Sequence, residues 1–414
     1  MKRLIFHVDV NSAFLSWTAM KKVENGEVDI RQIPAAIGGN REKRLGVILA
    51  KSIPAKKMGI NTGEPIASAL RKCPELVVVP PDFFLYEKCS AAFMSICSEY
   101  SPVVEKYSID ECFVDMSGSE CIFSDCIALA NEIKDRIKEE CGFTVNIGIS
   151  DSKVLAKMAS DFEKPDKVHT LFSDEIETKM WYLPVENLFT LGASTAQKLH
   201  SVNINTIGDL ARLDLKVIKA LVGDKRGEQL HSYANGLDAS TVSERSEAAK
   251  GYSVSSTLER DIASEEEAEP IFLALVDSVA SRMRSDSVSA KCIGITLRYN
   301  NFKDRSHQCK LSVATDITAE IFGVCKRLFL ELWDKKTPIR LLGVSLSDIE
   351  RGDNTQASAF EFFDARKERS KRIDQTVDDI RNRFGRGTIV RAVNCNSRLD
   401  IGKKHEVKTI GKKK

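Results

Sequence analysis

Three acidic side chains offer the most chemistry in this sequence. Asp9 ends the apolar run Leu4-Ile5-Phe6-His7-Val8, and Asp110 and Glu111 sit side by side in the turn-like stretch Tyr107-Ser108-Ile109-Asp110-Glu111-Cys112-Phe113-Val114-Asp115. A strand ending in Asp and a strand-turn-strand carrying Asp-Glu can bring three carboxylates to one sheet edge, where mutual repulsion calls for a cation. Two magnesium ions about 4 Å apart among such groups would activate an attacking oxygen and neutralise a leaving phosphate, which is phosphoryl-transfer chemistry. An Asp at a strand end also serves as a turn former, and an Asp-Glu pair as a solvated corner. Carboxylate spacing by itself leaves both readings open.

Such carboxylates need a frame, and the hydrophobic periodicity supplies one. The opening strand runs into a helix over 12–21, and Leu76-Val77-Val78-Val79 predicts a strand followed by a helix over 82–100. Beyond the Asp-Glu hairpin, Ser124 is placed to cap a helix whose Ile127, Ala130, Ile133 and Ile137 follow helical spacing; Gly142 stops it, and 143–149 reads as another strand. The order βα, ββ, αβ closes an antiparallel sheet with both helices on one face, the ferredoxin-like plan, and sets Asp9 beside the hairpin turn. Residues 31–72 form a small inserted lobe. A helix over 152–163 presents Lys153 and Lys157 one turn apart, and Lys164 stands at its end, where Pro165 forbids continuation. A solvated helix face and a phosphate clamp account for these lysines equally.

From 183 to 242 the pattern changes to short helices, among them 194–200 and 206–213, joined by a tight turn with Gly192. Such a turn can aim backbone N–H groups at a phosphate, although Thr190 stands where a first Gly is usual, and a plain packing turn is the alternative. The polar stretch 243–250 predicts a linker. Strand, helix, strand, strand, helix, strand then recurs over 251–349, with Lys291, Arg298, Lys310 and Arg340 among apolar residues. A half-buried sheet with a basic open face would follow a sugar-phosphate backbone without reading bases. The helix over 364–384 carries one narrow apolar stripe, Ile373, Val377, Ile380 and Phe384, enough to dock on a body but not to build a core.

Composition narrows the class. At 414 residues the chain exceeds what one core serves, so three or more domains are expected. Eleven scattered cysteines without a Cys-x-x-Cys pair, and six histidines that avoid ligand spacing, argue against zinc and against a disulfide framework. Free thiols in such number imply a reducing cytoplasm, and no apolar run approaches membrane-spanning length. A formal net charge of +2 leaves any nucleic-acid affinity to local clusters. The last basic tail is expected to be disordered.

His7-Val8-Asp9-Val10-Asn11-Ser12-Ala13-Phe14 and residues 107–115 resemble the two metal-binding motifs of the Y-family DNA polymerases, in the branch of the bacterial DinB-like and UmuC-like proteins. Asn146-Ile-Gly-Ile-Ser-Asp-Ser-Lys-Val-Leu-Ala-Lys-Met-Ala-Ser-Asp161 with Lys164-Pro165 resembles the third motif, residues 227–238 the end of the thumb, and Pro338-Ile-Arg-Leu-Leu-Gly-Val344 the little-finger signature. The resemblance covers nearly residues 1–350. It implies an α+β multidomain protein: a ferredoxin-like palm (1–10 and 73–165), a small fingers insertion (11–72), a helical thumb with a helix-hairpin-helix (166–242), and a second α/β sheet domain, the little finger (243–350). Residues 351–414 would be a partly disordered C-terminal extension.

The same resemblance implies roles. Asp9, the Val10 carbonyl, Asp110 and Glu111 would hold two Mg2+ ions, with Glu111 either positioning the primer hydroxyl or acting as general base. Lys164 would contact the triphosphate of the incoming dNTP, and Phe14 would stand as a steric gate against a ribose 2′-hydroxyl. In the inserted lobe Lys51 fits the UmuC-like pattern, Lys56 falls where many members carry Arg, and Ile53 where they carry Tyr; lysine offers a point charge without a bidentate fork. Asn11 stands where an acid is common. Gly192, Lys291, Arg298 and Arg340 would contact primer-template DNA, and the stretch from Gln356 to Phe363, with Phe360 as anchor, resembles a sliding-clamp peptide. The activity implied is low-fidelity translesion DNA synthesis by a monomeric cytoplasmic enzyme. Two rivals share parts of this pattern: a nucleotidyl cyclase on the same sheet plan, and a non-catalytic DNA-binding accessory protein.

Overall fold

The computed structural model describes residues 3–39, 46–118, 125–243, 248–351, 365–385 and 387–394. They fall into two compact units, one within Met1–Gly38 and Ile48–Ser246, the other within Gly39–Val47 and Glu247–Lys414.

In the first unit, β1 (Ile5–Val10) is buried along its whole length, as its Ile/Phe/Val run requires. Ser12, at a left-handed φ of 47°, turns the chain into α1 (Ala13–Glu24). The inserted lobe follows with β2 (Ala35–Gly38), β3 (Ile48–Lys51), α2 (Ile53–Lys57), α3 (Ile66–Lys72) and β4 (Val77–Val79). Ser52 caps α2 by accepting from the Ala55 N–H, with Pro54 in the first turn, where its missing N–H costs nothing. The three strands form their own sheet, in the order β3-β2-β4, over a small core that includes Ile48, Ile60, Ile66 and Leu76. Here the structure corrects the expected strand order: Val77–Val79 pairs parallel with β2 and takes no part in the ferredoxin-like sheet. Both edges of β1 are already occupied, by β6 and β7, and a three-residue strand ending beside β2 completes the smaller sheet instead.

The main sheet is built from β1, β5 (Val104–Lys106), β6 (Glu111–Asp115), β7 (Val145–Ser150) and β8 (Val168–Thr170), in the order β5-β6-β1-β7-β8. On one face lie α4 (Phe83–Tyr100) and α5 (Cys126–Cys141), whose Tyr86, Phe93, Ile133 and Ile137 pack on Phe6, Val8 and Val114. Each such fully buried side chain contributes about 1.5–3 kcal/mol. Asp125 caps α5 by accepting from Ile127 and Ala128, while Ser124, expected in that place, lies outside the described residues. On the other face lies α6 (Lys153–Ser160). Gly148 of β7 permits this close approach, because a Cβ there would meet the Ala156 carbonyl oxygen at 2.0 Å. Strand alternation sorts the sequence between the faces: Phe6 and Val8 point to α4 and α5, whereas Ile5 and Phe113 point to Ala156 of α6.

A helical layer completes the unit with α7 (Ile176–Lys179), α8 (Ala193–His200), α9 (Ile207–Arg212), α10 (Leu215–Val222) and α11 (Asp224–Ala234). Its core includes Leu188, Leu199, Ile207, Leu210, Ile218 and Leu230. Thr206 and Asp209 form a capping box at α9. Thr190 adopts a φ of 70°, the left-handed conformation that glycine supplies most readily, and Gly192 begins α8.

In the second unit, β9 (Gly251–Ile262), α12 (Glu265–Ser285), β10 (Val288–Tyr299), β11 (Asp304–Thr315), α13 (Thr318–Leu332) and β12 (Ile339–Arg351) form an antiparallel sheet in the order β11-β10-β12-β9, with the helices sharing its core. The last helix, α14 (Ala365–Phe384), docks by a face other than the expected one. Ile373 is 49% and Phe384 72% exposed, while Asp374 is 5% exposed. Arg284 reaches Asp374 (3.6 Å) and Asp378 (2.7 Å), and Asp277 receives Arg381 (2.6 Å). Largely shielded ion pairs, rather than the apolar stripe, fix this helix.

Candidate active site

The register of β1 against β6 places Asp9 directly opposite Glu111, and the Val10 N–H donates to the Asp110 carbonyl at 3.0 Å. By alternation Asp9, like His7, and Glu111, like Phe113, face α6, and there they meet Lys157. Its ammonium lies 3.1 Å from Asp9 Oδ2, 2.8 Å from Glu111 Oε1 and 3.3 Å from Asp161 Oδ2, with the side chain 10% exposed. Lys164 approaches Asp9 Oδ2 at 3.0 Å and Asp161 Oδ1 at 2.8 Å. Asp110 turns to Ser108, whose Oγ lies 2.5 Å from its Oδ1. Asp9 and Glu111 share Lys157 while Asp110 turns away to Ser108, and no three acidic, histidine or cysteine side chains among the described residues converge as a metal-ligand cluster.

The electrostatics follow from this burial. Burial chiefly lifts the Asp9 carboxyl to about 6, against the pull of Lys157 and Lys164 and with a push from Glu111. Burial works on Glu111 in the same sense, but the facing His7 imidazole and Lys157 outweigh it and hold Glu111 well below the usual carboxylate range. His7 is fully buried, which lowers it to about 4 and keeps the ring neutral at neutral pH; its Nδ1 lies 2.9 Å from Ser160 Oγ. Burial alone would lower Lys157, yet Asp9, Asp161 and Glu111 keep it charged.

Asp9, Val10, Asn11, Phe14, Asp110 and Lys164 line one cavity of about 390 Å³, together with Lys51, Lys56, Ile53 and Thr62 from the inserted lobe. Glu111 stands beside it, on Lys157. The Phe14 ring stacks on Tyr86, with centroids 4.5 Å apart and planes 8° apart, and Tyr86 is fixed by a 2.9 Å contact between its hydroxyl and Thr18 Oγ1. Lys51 donates to Thr62 Oγ1 at 3.2 Å, and burial and the neighbouring Lys56 lower its pKa. The arrangement sets three lysines around one cavity with acidic side chains at one edge.

Elsewhere the expected contacts are more self-satisfied than the sequence suggested. Lys291 pairs with Glu350 at 3.3 Å, Arg298 grips Asp304 through two nitrogens at 2.6 and 2.8 Å, and Arg340 lies 5.0 Å from the Phe302 ring centroid. Gly192 is open: nothing lies within 4 Å of where its Cβ would be. Gln356 and Phe360 lie outside the described residues. Lys157 is the residue sequence reasoning undervalued, since a solvated face explained it equally well; its apolar neighbours on every side, Val154 to Ala156 and Met158 to Ala159, were the signal of burial. Thr62, which also lines the cavity, carried no signal.

The impB/mucB/samB family matches residues 8–161, its C-terminal domain residues 249–359, and a domain described as the DNA polymerase-iota thumb residues 186–238. A Y-family DNA polymerase chimera of known structure shares the fold, with a TM-score of 0.72 at 20% identity over 84% of this chain and 100% of that one. The chain belongs to the impB/mucB/samB family, the Y-family DNA polymerases. Among its relatives, a protein of Clostridium acetobutylicum named DNA polymerase IV is 43% identical over 95% of this chain and 98% of its own length. One of Acetivibrio thermocellus with the same name is 36% identical over 96% and 99%. The main sheet is thus a palm, the inserted lobe the fingers, the helical layer the thumb and the second sheet the little finger.

Proposed function

We infer that this chain is a template-directed DNA polymerase of low fidelity that extends a primer 3′ end with dNTPs, releases pyrophosphate and copies damaged templates. The observation that carries the reading is one cavity lined both by Asp9 at the end of β1 and Asp110 in the turn before β6 and by the lysines of fingers and palm, in a chain matching polymerases along its length. Neither a cyclase nor a non-catalytic accessory protein finds support among the relatives.

Family membership implies dependence on a divalent metal. The donors fit magnesium: Asp9, Asp110, Glu111 and the Val10 carbonyl are all hard oxygens, the ligand class this ion takes. These groups would hold two ions, which supply a lowered pKa for the primer hydroxyl and neutralisation of the leaving phosphate. The chain's own residues do the remainder. Lys164, Lys51 and Lys56 receive the triphosphate, each as a point charge. Phe14, held flat against Tyr86, leaves no room beneath the sugar for a 2′-hydroxyl. Lys157 holds Asp9 and Glu111 side by side despite their repulsion. Glu111, kept anionic, positions the primer end.

Within this reading, Gly192 and the basic residues Lys291, Arg298 and Arg340 contact the DNA backbone; the two arginines and Lys291 would exchange their present partners for phosphates. The fingers extend through Val79 and the palm through Thr170, as the sheet pairings support. The stretch around Gln356 and Phe360 docks a sliding clamp, and the enzyme acts as a cytoplasmic monomer. Among the described residues no helix is long and apolar enough to cross a membrane. Primer extension on undamaged and lesion-bearing templates, with and without magnesium, tests the reading. Extension that requires magnesium and vanishes in Asp110→Ala supports it; no extension, or extension undiminished by that substitution, overturns it.

A further inference from the structure

Asn11 belongs to a pair of side-chain amides that reaches the turn carrying Lys164. The residue leaves β1 one position after Val10 and is 8% exposed. Its Oδ1 accepts from the Asp166 N–H at 2.9 Å and from Thr144 Oγ1 at 3.0 Å, so its Nδ2 must face the other way, where it donates to Asn146 Oδ1 at 3.1 Å. Asn146 cannot turn round in response, because its own Nδ2 donates to the Ser160 carbonyl at 3.1 Å and the Glu163 carbonyl at 2.7 Å. The paired amides therefore bind backbone atoms at 160, 163, 166 and 167, which bracket the turn from which Lys164 projects into the cavity. Asp166 itself sits at a φ of 62°, a conformation costly for a residue with a side chain, and the Asn11 acceptor satisfies its N–H there.

We propose that Asn11, through Asn146, is a positioning residue for Lys164: the amide pair sets where this lysine meets the triphosphate of the incoming nucleotide. The proposal rests on the reading of Lys164 as a triphosphate contact. An acid at position 11 would keep the acceptor toward Asp166 but oppose an oxygen to Asn146 Oδ1, so only an amide serves both partners. Asn11 acts on where the charge is held, not on the reacting atoms.

Single-nucleotide incorporation by the full-length enzyme tests this with Asn11→Ala, Asn11→Asp, Lys164→Ala and the double variant Asn11→Ala/Lys164→Ala, alongside primer-template affinity and the melting temperature of each. Loss of the paired hydrogen bonds is expected to raise the dNTP KM on the order of ten-fold with a smaller change in kcat, and to leave DNA affinity within about two-fold. In the Lys164→Ala background the Asn11 substitution should have no further effect on KM, the signature of action through that side chain. Asn11→Asp, which keeps the volume and one acceptor, should show the same KM defect and serves should the alanine variant not fold. Equal KM effects with and without Lys164, or none in either Asn11 variant, overturn the proposal. An unchanged KM in Lys164→Ala alone instead overturns the role given to Lys164.

Discussion

Replacing Lys157 with Met tests the electrostatic argument at the centre of the palm. The substitution keeps the aliphatic stem and removes an ammonium that lies 3.1 Å from Asp9 and 2.8 Å from Glu111 at 10% side-chain exposure. Breaking a buried ion pair on one side costs about 3–5 kcal/mol, because the surviving charges lose their counterion without regaining water. Asp9 limits the loss, since its carboxyl already stands at about 6 and can take up a proton once the lysine is gone, so the lower figure, about 3 kcal/mol, is expected. At this domain size each kcal/mol moves the midpoint by about 2–4 °C, giving a fall of about 6–12 °C for the unit that contains Trp17 and Trp181. Thermal unfolding in EDTA and in excess magnesium reads both halves of the argument. Magnesium should recover much of the fall, since ions binding the same carboxylates replace the missing charge, and should stabilise the variant more than the parent protein. A variant that melts with the parent in EDTA, or whose deficit magnesium leaves untouched, would refute the account of Lys157 as their internal counterion.

Three further outcomes follow from the same geometry. Phe14→Ala should raise ribonucleotide incorporation relative to dNTP by about a hundred-fold, read in primer extension with matched rNTP and dNTP; unchanged selectivity removes the gate. Tyr86→Leu should give a smaller loss of sugar selectivity by unseating the stacked ring, whereas Tyr86→Phe, which keeps the stack and loses only the hydroxyl contact to Thr18, should stay near the parent value. Arg284→Met should destabilise the second unit by about 3–5 kcal/mol, followed through Trp333 fluorescence in denaturant, because Asp374 and Asp378 lose a nearly buried partner.

How far these features could be read in advance depends on whether the signal was local. The strand ending in Asp9 and the hairpin carrying Asp110 and Glu111 were legible because apolar runs and turn residues are properties of adjacent positions, and alternation then fixes which carboxylate faces which side. The allegiance of Val77–Val79 was not, since three valines fit either sheet and the choice is made by competition for β1. The docking face of α14 was misjudged for a related reason. Asp374, Asp378 and Arg381 recur with the same helical period as Ile373, Val377 and Ile380, so periodicity shows two candidate faces. What decides between them is Arg284 and Asp277, both far away in sequence and both largely shielded beneath the helix. Lys157 obeys the same logic. Its apolar neighbours predict that an ammonium there is buried, and a buried ammonium needs anions. Nothing near it in sequence except Asp161 supplies one; the others come from β1 and β6, whose parity places Asp9 and Glu111 on the face that α6 covers. The acids that identify the site and the lysine that lets them coexist are thus a single electrostatic unit, of which only the acidic half announces itself in the sequence.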